Sequence, residues 1–123
     1  MQAVILAAGL GTRINELTKG VIPKGLIKVA GREILYRLIY YLKKYGIQEF
    51  IVVINPKFQE EYKKFFETHQ FSAKFVLNPY PEKGNGYSLY LAKDLIKDKF
   101  VLVMSDHLYE EEFIKKQLKE RGL

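Results

Sequence analysis

Four short apolar runs, separated by amphipathic stretches, restrict this chain more than any other feature of it. Residues 3–8 (AVILAA), 50–54 (FIVVI), 74–77 (KFVL) and 100–104 (FVLVM) are almost continuously apolar. Runs of that length and composition predict strands buried on both faces. The segments between them have another period. Residues 33–45 carry Ile34, Leu35, Leu38, Ile39 and Leu42 at helical spacing, with Gly46 as a C-terminal stop. Residues 58–68 repeat the pattern with Phe58, Tyr62, Phe65 and Phe66. Asn55-Pro56 and Asn78-Pro79 end the second and third strands, residues 80–86 predict a polar loop, and 87–96 and 110–121 predict helices. Strands alternating with helices predict an α/β, Rossmann-like fold, a mostly parallel sheet with flanking helices built from right-handed βαβ units. The aromatic side chains Tyr36, Tyr40, Tyr41, Tyr45, Phe65 and Phe66 fall at helical spacing and are assigned to packing.

The chain has 123 residues, enough for one domain over 1–123 and too few for two. Hydrophobic residues make up 48%, so a folded core is expected. No apolar stretch reaches the length of a membrane span, and the N-terminus lacks signal-peptide character. Cysteine is absent, which removes disulfides and thiolate zinc sites. A cytoplasmic protein is expected by elimination. Abundant Lys, Glu, Ile and Tyr without Cys also suits a source in a hot environment. The net charge is +6. A basic balance can serve nucleic acid, an anionic membrane surface or a small phosphorylated substrate. Lysines here are interleaved with glutamates, as in Glu60-Glu61 beside Lys63-Lys64, which describes solvated helix faces rather than a nucleic-acid stripe.

The first strand breaks into a loop, Leu6-Ala7-Ala8-Gly9-Leu10-Gly11-Thr12-Arg13, at the end where α/β sheets bind ligands. Glycines let backbone N–H groups approach an anion, and an arginine adds a fork of donors suited to phosphate oxygens. The dinucleotide fingerprint would need a third glycine where Ile14 stands, and no P-loop run occurs. Pro23 gives a rigid base from which Lys24 can meet a developing phosphate charge, with Lys19 and Lys28 as competing cations nearby. Asp106, at the end of the fourth strand, suits Mg²⁺ that bridges to a phosphate, or else an N-cap of the last helix. His107 follows it on what should be an extended segment and should point the other way. In residues 78–88, Asn85 and Ser88 are either ligand contacts or helix caps.

The sequence L-A-A-G-x-G-T-R followed by P-K-x-L resembles the signature of the sugar-nucleotide pyrophosphorylases, or nucleotidyltransferases. The resemblance covers the whole chain, and through residues 20–26, 30–36 and 104–107 it is closest to the CTP:inositol-1-phosphate cytidylyltransferase branch. It implies the nucleotide-diphospho-sugar transferase type of fold and transfer of CMP from CTP to a phosphorylated acceptor, with pyrophosphate released. It implies catalytic roles for Arg13, Lys24 and Asp106, with Arg13 on the β- and γ-phosphates, Lys24 on the α-phosphate and Asp106 holding Mg²⁺. Leu6, Ala7, Ala8, Gly9, Gly11, Thr12, Asn85 and Ser105 would bind the nucleotide, and Asn78 and Gly84 would read the base edge. Enzymes of the family are about twice as long, so the chain is expected to be the N-terminal, nucleotide-holding part. On its own it should turn over weakly or not at all, and it should self-associate or pair with a C-terminal half. A non-catalytic nucleotide-binding module and a transferase acting on choline phosphate or sugar 1-phosphates are the alternatives.

Overall fold

The computed structural model describes residues 1–9, 12–15 and 20–122, without the side chains of 12–15, 20 and 21. In chain order the elements are β1 (Gln2–Ala7), β2 (Thr12–Asn15), β3 (Gly20–Ile22), β4 (Lys28–Val29), β5 (Arg32–Glu33), α1 (Ile34–Lys44), β6 (Glu49–Ile54), α2 (Gln59–Thr68), β7 (Lys74–Leu77), α3 (Gly84–Ala92), β8 (Phe100–Met104) and α4 (Glu111–Glu120). The four apolar runs form one sheet, ordered β7-β6-β1-β8, and every pairing in it is parallel. Two small hairpins, β2–β3 and β4–β5, lie outside it and were not foreseen from the sequence.

Alternation along the buried strands divides the core in two, because successive side chains leave a strand on opposite faces. Ala3, Ile5 and Ala7 of β1 join Val52, Ile54, Val101 and Val103 under α1, α2 and α4. Those helices insert Leu35, Leu38, Ile39, Leu42, Phe65, Phe66, Ile114 and Leu118. Val4, Leu6 and Ala8 face the other way with Ile51 and Val53, against Ala92 and Leu89 of α3. Three helices therefore cover one face and one covers the other. β8 is an edge strand on which Leu102 stays 41% exposed.

A polar residue at the start of β1 is fully served. The Gln2 amide oxygen accepts from the Lys97 and Asp98 N–H groups at 2.8 and 3.2 Å. Its Nε2 donates to the Leu95 carbonyl at 3.1 Å and to Glu49 at 3.2 Å. The strand is thus tied at its amino end to the chain that leads into β8, which leaves its carboxyl end free to build a site.

The segment expected to be a loop over 80–86 is instead a 3-10 turn (Pro81–Lys83) that runs into α3. Gly84 makes the junction with φ 82° and ψ 177°, a backbone state essentially reserved for glycine. The tight β4–β5 connection holds Ala30 and Gly31 at φ 51° and 83°, as a type I′ hairpin requires. From β1 the chain moves outward to β6 and β7, then crosses back to place β8 on the other side of β1. The strand order reverses at β1, so the crevice in which such sheets bind ligands lies at the carboxyl ends of β1 and β8.

Candidate active site at the β1–β8 switch point

The crevice is a cavity of about 460 Å³. Its first wall is the end of β1, residues Leu6, Ala7, Ala8 and Gly9. Asn55, buried at the end of β6, steadies that wall: its Nδ2 donates to the Ala8 carbonyl at 3.4 Å while its Oδ1 accepts from the Lys57 N–H at 3.0 Å. The sequence read Asn55-Pro56 only as a strand end. Gly9 is exposed, with nothing within 4 Å of where a Cβ would stand.

Lys24 reaches the cavity from a 3-10 turn (Lys24–Leu26). Pro23 enters that turn extended, at φ −62° and ψ 139°, and Leu26 anchors it in the main core. Gly25 packs on Ser105, so the lysine's side chain is carried on a fixed base. Lys28 is exposed on β4 and does not line the cavity.

The opposite wall is the end of β8, with Met104, Ser105 and Asp106. The Ser105 N–H donates to the Leu6 carbonyl at 3.0 Å, which continues the β1–β8 ladder one step past the strand. The chain then turns. The segment expected to be extended is not: the His107 N–H reaches back to the Met104 carbonyl at 3.4 Å, and His107 Nε2 lies 3.8 Å from Asp106 Oδ1. His107 is 60% exposed and stays outside the cavity, because the turn folds it back over the Asp106 side chain. α4 has its cap position at Glu110, so Asp106 is not an N-cap.

Tyr62 of α2 forms the floor. It is 1% exposed, and burial pushes its phenol pKa well up. The sequence placed Tyr62 only in the helical pattern of residues 58–68. The available signal was one tyrosine in a row with Phe58, Phe65 and Phe66.

The rim comes from Pro81, Glu82, Gly84, Asn85 and Ser88. Neither Asn85 nor Ser88 caps α3, which has no side-chain cap. Asn78 is a correction. It is wholly buried and does not line the cavity. Its Nδ2 donates to Ser88 Oγ at 2.8 Å and its Oδ1 accepts from the Tyr80 N–H at 2.9 Å. An amide engaged at both ends inside the protein holds the rim in place; the geometry gives it no base edge to read. Gly11 lies outside the described residues, as do the side chains of Thr12 and Arg13; the backbone of those two runs in β2.

Among the described residues no three His, Asp or Glu side chains cluster as a metal cage. Asp106 presents one carboxylate, about one-third exposed, to the cavity, with Glu82 on the rim. That donor set fits Mg²⁺, which binds through one or two carboxylates plus substrate phosphates and keeps several waters.

The profile of the MobA-like NTP transferase domain matches residues 3–122. The chain is 53% identical to the bifunctional IPC transferase and DIPP synthase of Thermococcus kodakarensis over 99% of its own length and 27% of that protein. Its identity to the protein of the same name from Aquifex aeolicus is 52%, over 98% of this chain and 28% of that one. The solved inositol-1-phosphate CTP transferase of T. maritima superposes with a TM-score of 0.79 at 26% identity, covering 94% of this chain and 47% of that one. The chain therefore spans a little over a quarter of the first two relatives and about half of the third.

Proposed function

The chain belongs to the MobA-like NTP transferase domain family, and on that premise we propose that it is the nucleotide-holding part of a cytidylyltransferase. The reaction is transfer of CMP from CTP to a phosphorylated acceptor, of which inositol 1-phosphate is the first candidate, with pyrophosphate released in the cytoplasm. The reading rests on one observation: a cation, Lys24, and a carboxylate, Asp106, reach one cavity at the carboxyl ends of β1 and β8.

In this reading the triphosphate lies along the β1 wall, where Gly9 leaves the backbone open to close approach. An acceptor phosphate oxygen attacks the α-phosphorus as the bond to the bridging oxygen breaks, and pyrophosphate departs with that electron pair. No proton has to move if the attacking oxygen is already ionised. The protein's contribution is positioning and charge neutralisation. Lys24 meets the growing negative charge on the α-phosphate, and Arg13 takes the β- and γ-phosphates. Asp106 would hold Mg²⁺, which supplies charge neutralisation across the phosphates when bound. Gly84 and Asn85 face the base from the rim, and Ser88 stands behind them on Asn78.

The test is a calorimetric titration of CTP, UTP, dTTP, GTP and ATP into the chain, each with Mg²⁺ and with EDTA, repeated on Asp106→Asn. Tightest binding for CTP with Mg²⁺, lost in the variant, is the expected result. Equal binding of all five, or no dependence on Mg²⁺, overturns the reading.

A further inference from the structure

We propose that Ser88 determines which base the site takes: its hydroxyl, held by Asn78, donates to a hydrogen-bond acceptor on the base, and on a cytosine that acceptor is N3. The inference rests on the cytidylyltransferase reading for the identity of the ligand. For the direction of the proton it rests on the hydrogen bonds that join the end of β7 to α3.

The direction follows from Asn78. That residue is wholly buried, and the Tyr80 backbone N–H, which can only donate, meets one end of its amide at 2.9 Å. The end so met is the Oδ1 carbonyl, and the other end is therefore the amino group. An amino group can only donate as well, so Ser88 Oγ, 2.8 Å away, is the acceptor. A hydroxyl that has accepted one bond keeps a proton and one lone pair. Among the described residues Ser88 makes no second hydrogen bond, not even to the carbonyl one turn back in α3, where helix serines often return their proton. Ser88 is 3% exposed and lines the cavity beside Gly84 and Asn85. A buried hydroxyl has to place its proton on an acceptor, and the cavity is the side from which a ligand can supply one. Turning the lone pair to the cavity instead would aim the proton at protein that, among the described residues, offers it nothing. Cytosine N3 is an acceptor, whereas uracil carries a proton on the same atom and would set two donors face to face. A site that depends on one hydrogen bond discriminates strongly against a ligand unable to complete it, because its own buried group is left unpaired.

The experiment titrates CTP, UTP and 3-deaza-CTP, in which a C–H replaces N3, into wild type, Ser88→Ala and Ser88→Cys by calorimetry with Mg²⁺. Tripolyphosphate serves as the probe that has no base. Wild type is expected to bind CTP about tenfold more tightly than UTP or 3-deaza-CTP, the scale of one hydrogen bond left unmade. Ser88→Ala should lose about that factor on CTP, little on 3-deaza-CTP and nothing on tripolyphosphate, so that the change in protein and the change in ligand fail to add. Ser88→Cys, which keeps a weak donor of similar shape, should fall between. A variant that keeps the full preference for CTP over 3-deaza-CTP, or that loses equally on CTP and tripolyphosphate, overturns the proposal. The Asn78 bond is read separately in the ligand-free chain, where one Nδ2 proton should be shifted downfield of the other and the difference lost in Ser88→Ala. Side-chain amide signals unchanged by Ser88→Ala overturn it too. If wild type binds none of the nucleotides, the cytidylyltransferase reading falls, while the amide signals still decide for or against the polarity set by Asn78.

Discussion

Gly25 lies so close to Ser105 that a Cβ at position 25 would stand 3.1 Å from the Ser105 Cβ and 3.1 Å from its carbonyl oxygen. Two segments far apart in sequence, the turn that carries Lys24 and the strand end that carries Asp106, meet at this contact. The glycine is there for space, since no left-handed backbone is required at that position. The Ser105 backbone has little room to retreat because its N–H is bound to Leu6.

Gly25→Ala is therefore expected to destabilise the fold by about 1–3 kcal/mol, the range for overpacking a filled interior. It should also weaken nucleotide binding, because the base of Lys24 is pushed away from β8. Melting and CTP calorimetry on the one variant measure both. An alanine that leaves melting and affinity unchanged would show the contact to be slack.

Gly84 and Gly86 should answer alanine in opposite directions. Gly84 sits at φ 82°, where a side chain is strained whatever the space, and Gly84→Ala should lose about 1–3 kcal/mol. Gly86 lies within α3 with nothing within 4 Å of its Cβ direction. There an alanine should gain about 0.5–1 kcal/mol through helix propensity and a less flexible unfolded chain. Chemical denaturation of the two variants provides the comparison.

Ala30 carries a cost the sequence does not advertise. It holds φ 51° in the β4–β5 turn, where an L-residue with a Cβ is disfavoured by roughly 1–2 kcal/mol and asparagine or glycine is at ease. Ala30→Asn is expected to raise the melting temperature, with no change in nucleotide affinity. A lower melting temperature would mean that the turn is not formed in solution.

Glu111 joins α4 to the end of α1 by accepting from Lys44 and from the Tyr45 hydroxyl. Its carboxyl pKa is held below the usual range, first by the Lys44 hydrogen bond and then by Tyr45. The pKa of Lys44 and that of Tyr45 are both raised, in each case first by the hydrogen bond with Glu111. A depressed carboxylate stabilises the fold above its unfolded pKa of about 4.3 and loses that as pH falls through the folded value. Raised Lys and Tyr values stabilise below about 10 and lose that as pH rises through them. The melting temperature should accordingly be flat near neutrality and fall at both ends, with Glu111→Gln flattening both limbs. Lys44 is exposed and Glu111 stays about one-third exposed, so added salt should shrink the difference between variant and wild type.

How much of this was legible in advance varies with what each residue does. The strands were readable because burial on both faces leaves a continuous apolar run, and the helices because their buried faces repeat every three or four residues. The β2–β3 and β4–β5 hairpins were not readable. They are short, and the second turns on an alanine in a left-handed state that no alanine signals. Lys24 and Asp106 were readable as charges in motifs. Asn78 was read by analogy as a base contact, yet its amide is taken up by Ser88 and by the Tyr80 N–H, a partnership that exists only once α3 packs back over the end of β7.

The sequence by itself determined the strands of the sheet and the helices that cover it, because hydrophobic periodicity and backbone preference are local properties of a chain. Tertiary structure decided which strand ends lie side by side, and with them the site. Placing β8 next to β1 brings Ser105 against Gly25, and so sets Asp106 and Lys24 on one cavity. That contact joins residues 80 positions apart. Nothing in the local chemistry of either partner names the other; strand order and close packing do.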